Sequence, residues 1–375
     1  MTDIALRHTP LYSQHVQLGA RMVEFAGWEM PLLYRGIAEE HRHTREKCSV
    51  FDVSHMGRIE LHGDGAESLL ERVCTRRVGD MRPGCMRYTH ICNEHGGILD
   101  DAIVSRHETH WLVVCNGANR ERIVTWLRTH AAGCAATIND ITEATAMLAI
   151  QGPLTMALAA RLPFALDDLR RYRFRAGTYM GMPYTVSRTG YTGEDGLEVI
   201  LPADAASVGW EFLLTPPGGL EPHYIMPAGL GARDTLRIEA GLPLYGHELH
   251  ECMDPLRAGF GWCVDLNKPF IGADALRRLD VHRLSPLLAG LELAGKRIAR
   301  QSAAVTVNGQ CVGEVTSGTL SPTLGKSIAM AYVARECAAP GTQVRVHLRE
   351  GREEDAVVVK LPFYRRAVTE KEVKS

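Results

Sequence analysis

The sequence predicts an α+β protein of two or three domains that ends in a small antiparallel β-domain or barrel. Its 375 residues exceed the size of one ordinary domain. Hydrophobic residues make up 45% of the chain and charged residues 23%, which is typical of a folded protein with a large apolar core. From about Ser285 onwards, short apolar runs alternate with Gly, Asn, Ser and Pro turns, as in small β-domains. We therefore expect a domain boundary near residues 280–286.

Helical and extended patterns alternate in the chain before this boundary. Residues 37–48 are charged with sparse apolar positions and predict a surface helix. Further helices are expected over residues 66–73 and 120–130, a glycine turn running into a helix over residues 228–239, and a strand over residues 58–61.

The most informative stretch has two apolar runs, Ile98–Val104 and Trp111–Cys115, separated by a short polar link. They predict a hairpin whose open end holds Asp100, Asp101 and Asn116. Because side chains alternate along a strand, the two aspartates should point to opposite faces. A carboxylate inside an apolar strand needs either a structural partner or a functional role, since burying it unpaired is costly. These residues alone leave both explanations open.

A second segment, residues 187–199, has three glycines within seven residues and predicts a tight loop in which the backbone approaches another group closely. It lacks the pattern of a phosphate-binding loop. Glu198, in the strand that leaves this loop, could accept hydrogen bonds from a ligand ring or form a salt bridge with Arg188 or Arg233. Arg233, near the start of an expected helix, could bind a ligand carboxylate or pair with an acidic neighbour.

Composition argues against several classes of function. The net charge is −2 and the arginines are scattered, so nothing predicts binding to nucleic acid. None of the ten cysteines forms a C-x-x-C pair, and several lie in apolar runs, which suits a reducing cytoplasm. The first residues lack the pattern of a signal peptide, and no apolar stretch is long enough to cross a membrane. We therefore expect a cytoplasmic protein without a membrane partner.

Several longer motifs occur together and in a fixed order: FAGWEMP, FDVSHMG, GGILDDAIV, RTGYTGEDGLE, GLGARDTLRIEAGLPLYGHEL, GFGWCV and VTSGTLSPTLGKSIAMAYV. Through them the sequence resembles the aminomethyltransferases, the T-proteins of the glycine cleavage system, from about Thr9 to Tyr364. The resemblance implies a three-domain cloverleaf with a ferredoxin-like folate-binding core and a C-terminal antiparallel β-barrel. It implies a folate-binding region over residues 1–284, with two interleaved α+β subdomains, and a barrel domain over residues 285–375.

The resemblance also implies a reaction. The methylene of the aminomethyl group on the lipoyl arm of the H-protein is transferred to tetrahydrofolate, with release of ammonia. Tetrahydrofolate would be the co-substrate, no metal would be needed, and the lipoylated H-protein would be the partner, alongside the P- and L-proteins of the system.

Motif positions imply the site residues. The second aspartate of GGILDDAIV, Asp101, is the expected catalytic carboxylate. The expected folate-binding residues are Glu198, Arg233, Tyr191, Asn116, Met56, Tyr88 and Tyr364. A buried carboxylate could stabilise positive charge at the transferred carbon or take part in proton transfer, and the sequence leaves this choice open. The segment Gln301–Ala303 departs from the family pattern, so the contribution of the barrel is less well defined.

Other folate-related functions share this fold and remain alternatives. They are a folate-dependent demethylase of sulfonium compounds and a non-enzymatic folate-binding assembly factor. The folate domains of sarcosine and dimethylglycine dehydrogenases accompany a flavin domain, but this chain has no dinucleotide-binding fingerprint. The close match of RTGYTGEDG and PLYGHEL favours the T-protein.

Overall fold

The computed structural model describes residues 5–160, 166, 168–215 and 224–367. The strands are, in chain order, β1 (Arg7–His8), β2 (Arg21–Phe25), β3 (Trp28–Leu33), β4 (Cys48–Asp52), β5 (Gly57–His62), β6 (Met86–Cys92), β7 (Ile98–Arg106), β8 (His110–Cys115), β9 (Thr137–Asp140), β10 (Thr145–Gln151), β11 (Phe174–Tyr179), β12 (Met182–Ser187), β13 (Gly196–Pro202), β14 (Ile225–Pro227), β15 (Leu287–Leu293), β16 (Ala304–Val307), β17 (Gln310–Leu320), β18 (Ser327–Val333), β19 (Gln343–His347) and β20 (Glu353–Val359). The helices are α1 (Tyr12–Gln17), α2 (Ile37–Glu46), α3 (Ala66–Val73), α4 (Arg120–His130), α5 (Thr155–Ala159), α6 (Ala206–Leu214), α7 (Leu230–Glu239) and α8 (Ala273–Arg277). Short 3-10 turns follow β8 at Gly117–Asn119 and precede α8 at Gly261–Cys263.

The strands form three open sheets and one closed barrel. A three-stranded sheet has the order β1-β3-β2, a six-stranded sheet β11-β12-β13-β10-β4-β14, and a five-stranded sheet β6-β7-β8-β5-β9. The barrel has the order β15-β18-β17-β16-β19-β20 and closes because β15 pairs with β20. All its strand pairs are antiparallel. The predicted fold class, α+β with a C-terminal antiparallel barrel, is confirmed.

The predicted hairpin is confirmed as β7 and β8, and β7 also pairs with β6 on its other side. Side chains alternate along β7: Ala102 and Val104 enter the apolar core of this sheet, while Asp101 and Ile103 face the other way and are half-buried. Helix α3 packs against the core face of this sheet. Its apolar side chains recur at the helical spacing, and all of them are buried. Packing against α3 therefore fixes which aspartate of the pair is left outside the core.

Helix α2 forms where a surface helix was predicted, with Glu39, Arg42 and Glu46 exposed, but its other face is buried. Glu40, His41 and Thr44 on this helix are buried. The Glu40 carboxylate accepts hydrogen bonds from backbone N–H groups, including that of Gly229 at 2.8 Å. The His41 ring contacts the carboxylate of Glu239 on α7 at 3.2 Å. These polar residues are buried because partners distant in sequence satisfy them, which a charge pattern along one helix does not reveal.

All ten cysteines are free. Within the described ranges, none of the helices has both the length and the apolar character required to cross a bilayer.

Candidate active site

A cavity of about 710 Å³ lies among the five-stranded sheet, the six-stranded sheet, α7 and the barrel, and residues from each of them line it. Most of its wall is apolar, and a small number of polar groups point into it, as in binding sites for small organic molecules. In the part of the chain that the structure describes, no cluster of three or more His, Cys, Asp or Glu side chains is placed to hold a metal ion.

The structure brings most of the predicted site residues to this cavity. Those that line it are Met56, Tyr88, Asp101, Asn116, Tyr191, Glu198 and Arg233. Tyr364 is described but is not among the lining residues. Its ring lies under the guanidinium of Arg45 at 4.0 Å, and its backbone N–H donates to the carbonyl oxygen of Glu239 at 2.8 Å. A contact of Tyr364 with folate stays a prediction.

The Asp101 carboxylate is held by two donors. Its Oδ2 accepts the hydroxyl of Tyr88 at 3.0 Å, and its Oδ1 accepts the side-chain amide of Asn116 at 2.7 Å. Tyr88 pairs across the ladder with Ile103, two residues beyond Asp101 on the same face, so its ring reaches the carboxylate diagonally. Burial raises the pKa of Asp101, and the hydrogen bonds from Asn116 and Tyr88 oppose this effect because they favour the ionised form.

Asp100 lies on the opposite face, as strand alternation predicts, and is fully buried. Its carboxylate accepts three N–H groups: the backbone of Asn116 at 3.0 Å, the amide of Asn116 at 2.8 Å and the amide of Asn119 at 2.8 Å. Burial, followed by the charge of Asp101, raises the pKa of Asp100 well above its usual range. One amide nitrogen, Nδ2 of Asn116, therefore contacts both carboxylates and connects the core face of β7 to the cavity.

Glu198 extends from β13 into the cavity. One carboxylate oxygen accepts the hydroxyl of Thr189, and burial raises the pKa of the group while the charge of Arg233 opposes the rise. Of the two salt-bridge partners considered for it, Arg188 binds Asp195 instead, with Nε at 3.0 Å from Oδ1. Glu198 is thus a buried acceptor at the cavity wall.

Among the described residues, Arg233 has a hydrogen-bond donor without a partner. Its guanidinium lies over the ring of Tyr191 at 4.7 Å. Its Nη1 is buried without a hydrogen-bond partner among the described residues. Arg237, one turn later on α7, is by contrast bound to Glu248 at 2.8 Å and to Asp234 at 2.8 Å. Because a buried unpaired guanidinium nitrogen is costly, Arg233 is well suited to bind an acceptor on a ligand in the cavity.

The glycine-rich loop is as tight as predicted, and the group that it approaches is a side chain. A Cβ atom at Gly190 or Gly196 would come within 2.0 and 2.2 Å of the side-chain amide of Gln151, at the end of β10. Only glycine fits at these positions. The contact holds the loop against β10, and the loop carries Tyr191 to the cavity, where its hydroxyl donates to the carbonyl of Pro243.

Side chains that sequence reasoning did not single out also line the cavity, among them those of His55, Trp262 and Arg300. His55 is buried, its Nδ1 has no partner among the described residues, and burial together with the charge of Arg233 lowers its pKa to about 3. Trp262 stacks on Tyr88 with 5.8 Å between ring centroids, and Arg300 lines the cavity next to the barrel. His55 lies in the motif FDVSHMG and Trp262 in GFGWCV, so both belong to motifs that the sequence analysis quoted. The spacing within a motif did not show which of its residues reaches the cavity.

Fold and cavity together define an α+β enzyme with a barrel domain and a central small-molecule site that contains a carboxylate and an available arginine. Comparison with known proteins is more specific. Residues 11–268 match the family described as the GCVT N-terminal domain, and residues 287–365 match the glycine cleavage T-protein C-terminal barrel domain.

Relatives of similar length support the same assignment. The chain is 47% identical to an aminomethyltransferase of Rubrobacter xylanophilus, with 96% of this chain and 95% of the relative covered. It is 42% identical to an aminomethyltransferase of Thermotoga maritima, with 97% and 99% covered. The crystal structure of aminomethyltransferase T of the glycine cleavage system from Bartonella henselae superposes with a TM-score of 0.89 at 33% identity, covering 96% of this chain and 98% of that one. The chain belongs to the aminomethyltransferase family, the T-proteins of the glycine cleavage system. It is an enzyme of that type, and neither a demethylase nor an assembly factor is favoured.

Proposed function

We propose that the central cavity is the place where tetrahydrofolate receives a methylene group from the aminomethylated lipoyl arm of an H-protein. The C–S and C–N bonds of the aminomethyl unit break, and two C–N bonds to the folate form. The two protons released from the folate nitrogens go to the lipoyl sulfur and to the leaving amine. The products are 5,10-methylenetetrahydrofolate, ammonia and the dihydrolipoyl arm. The observation that carries the proposal is the carboxylate of Asp101, held by two donors in the same cavity as Arg233, whose Nη1 has no hydrogen-bond partner among the described residues.

Asp101 is the proposed catalytic residue. Positive charge develops on the transferred carbon as the amine leaves, and a fixed carboxylate next to it stabilises that charge more effectively than water does. Its two donors, Tyr88 and Asn116, keep the oxygens oriented and favour the ionised form. Because these two donors oppose the effect of burial on the pKa of Asp101, we propose an electrostatic role for it rather than proton donation.

The folate is proposed to lie between Glu198 and the barrel side of the cavity. Glu198 is a buried acceptor suited to the N–H groups of a pterin ring, and Arg233 offers a free donor to an acceptor of the same ligand. Asn116, Tyr191, Met56 and Tyr88 complete the proposed pocket. The co-substrate is tetrahydrofolate, and the chemistry requires no metal because the substrates supply the reacting atoms.

The wider setting follows from the same proposal. The partner is the lipoylated H-protein, working with the P- and L-proteins, in one-carbon metabolism of the cytoplasm. Ten free cysteines are consistent with that compartment. A domain boundary between residues 284 and 285 is also proposed, and the first barrel strand begins soon after it, at Leu287.

The decisive experiment measures ammonia release from aminomethylated H-protein by the purified chain. Release should require tetrahydrofolate, and 5,10-methylenetetrahydrofolate should form in equal amount. The substrate control is lipoylated H-protein that carries no aminomethyl group. A folded chain that binds tetrahydrofolate but releases no ammonia would contradict the proposal and support a binding function instead.

A further inference from the structure

A line of polar side chains extends from Asp101 away from the cavity. The hydroxyl oxygen of Tyr88, which donates to Asp101, lies 3.3 Å from Nε2 of His90. The other ring nitrogen of His90, Nδ1, lies 3.4 Å from the sulfur of Cys263. His90 and Cys263 are fully buried, and the ring of Phe260 packs edge-on against His90 at 5.4 Å. Nothing in the proposed reaction uses His90 or Cys263.

Strand register explains how this line forms. His90 is paired with Asp101 across the β6–β7 ladder, so both side chains are on the same face of the sheet. Tyr88 is two residues earlier on β6 and shares that face. Its hydroxyl lies within hydrogen-bond distance of both groups, and the 3-10 turn that carries Cys263 closes the far end.

The protons in this line can be placed. Burial lowers the pKa of His90 to about 3, so the ring is neutral and carries one N–H. Tyr88 has a single hydroxyl hydrogen and donates it to Asp101, so its oxygen can only accept from His90. The proton of His90 is then on Nε2, and Nδ1 lies 3.4 Å from the sulfur of Cys263, whose thiol donates to the carbonyl oxygen of Phe260 at 3.0 Å. Burial raises the pKa of that thiol to about 12, so its proton is retained.

We propose that His90 is a positioning residue for the reaction, which directs the hydroxyl of Tyr88 onto Asp101 and so helps to keep that carboxylate ionised. With the proton on Nε2, His90 donates to the Tyr88 oxygen, which leaves Asp101 as the acceptor of the hydroxyl and strengthens that second hydrogen bond. With the proton on Nδ1, Nε2 would compete with Asp101 for the same hydrogen. The proposal rests on the catalytic role proposed above for Asp101.

Other titratable groups near this line are accounted for. Asp100 is next to Asp101 and has its own three N–H donors. Tyr191 faces Tyr88 from the glycine-rich loop. Arg76 lies over the ring of Trp262 at 5.5 Å, outside the line. Its positive charge opposes the effect of burial on the pKa of Cys263. Replacing His90 leaves the hydrogen bonds of these groups in place, so a change in the titration of Asp101 can be assigned to the lost contact with Tyr88.

The test compares His90→Phe with Thr89→Val in single-turnover ammonia release as a function of pH. Phenylalanine keeps a ring and removes both nitrogens. Thr89 is the adjacent buried residue on the opposite face of β6, where its hydroxyl contacts Thr75 and the backbone of Arg76. In His90→Phe the acid limb of the rate profile should move to higher pH by about half a unit to one unit, a three- to tenfold loss at a pH on that limb. Thr89→Val should lower the melting temperature and leave the limb in place.

The tautomer of His90 in the unmodified enzyme gives a second measurement that requires no variant. Nitrogen-15 NMR should show a neutral ring with its proton on Nε2. A proton on Nδ1, an unchanged acid limb in His90→Phe, or an equal shift of the limb in Thr89→Val would each overturn the proposal. If Asp101→Asn retained full activity, the proposed function of the site would fail first, whereas an inactive Asp101→Asn with an unshifted His90→Phe would remove only the role of His90.

Discussion

Replacing Asp101 by asparagine keeps the volume of the side chain and removes its charge, so it tests the reaction with little change to the fold. In the native protein one carboxylate oxygen accepts from Tyr88 at 3.0 Å and the other from Asn116 at 2.7 Å. Asparagine can keep both contacts, because its oxygen can accept from Asn116 and its NH₂ group can donate to the oxygen of Tyr88. The variant therefore loses chiefly the charge.

The magnitude follows from the loss of the charge. Removing a fixed group that stabilises transition-state charge typically costs a factor of about 100–1,000 in turnover, on the order of 2.7–4 kcal/mol. We expect ammonia release by Asp101→Asn to fall at least about a hundredfold. Folate affinity should change less than turnover, because the interaction with positive charge is strongest in the transition state. Calorimetry with tetrahydrofolate and single-turnover release on the same preparation measure the two quantities separately.

Asp100→Asn is the matched comparison, because it makes the same chemical change one residue away. Strand alternation alone predicts a local structural effect with most of the rate retained. The structure revises this expectation, since Asp100 holds Asn116, and Asn116 holds Asp101. We now expect a clear loss of thermal stability and a moderate loss of rate, smaller than that of Asp101→Asn. Equal and modest losses of rate in the two variants would refute the assignment of catalysis to Asp101.

Three further outcomes are expected. Tetrahydrofolate at about 100 times its dissociation constant should stabilise the protein by roughly 2.7 kcal/mol, seen as a rise in melting temperature, and no rise would contradict the folate site. Glu198→Ala should weaken folate binding by about 1.5–3 kcal/mol in calorimetry while the protein stays folded, and unchanged affinity would leave Glu198 with a structural role only. Burial disfavours the charge of Asp52, but its hydrogen bonds, chiefly from His15, outweigh burial and lower its pKa from 3.8 to about 2. Its contribution to stability is therefore complete above pH 3.8 and lost as the pH falls toward 2, so the melting temperatures of native protein and Asp52→Asn should converge over that range, and a constant difference would contradict the pairing.

The sequence was sufficient for features that depend on local patterns. Alternation along residues 98–104 predicted that the two aspartates point to opposite faces, and the short apolar runs separated by turns from about Ser285 predicted the barrel. The long motifs brought Glu198 and Arg233 to attention before any contact was known. These predictions were possible because hydrophobic periodicity and turn residues are local patterns that extend over a few neighbouring residues of the sequence.

Features that depend on contacts between distant segments were not predictable in the same way. Charges along residues 37–48 suggested a solvated helix, yet His41 is buried because Glu239 and Thr323 meet its ring from α7 and the barrel. Similarly, the buried ring of His90 meets the sulfur of Cys263, more than 170 residues later in the chain. A buried polar side chain is stable only where a hydrogen-bonding partner contacts it, and a single sequence does not show which distant residue provides that partner.

Helix α7 connects the cavity to the barrel through its two sides. Arg233, near its start, lines the cavity with a nitrogen that no other described residue binds, whereas Arg237 donates to the hydroxyl of Ser317 on β17 at 2.8 Å. At its last residue, Glu239 accepts from the hydroxyl of Thr323 at 2.8 Å and from Arg45 on α2 at 2.8 Å. These buried contacts are charge-assisted, so they resist sliding of the helix along the barrel. The position of Arg233 in the cavity is therefore set by the barrel as well as by the sheets, because the helix that carries it is anchored at both its middle and its end.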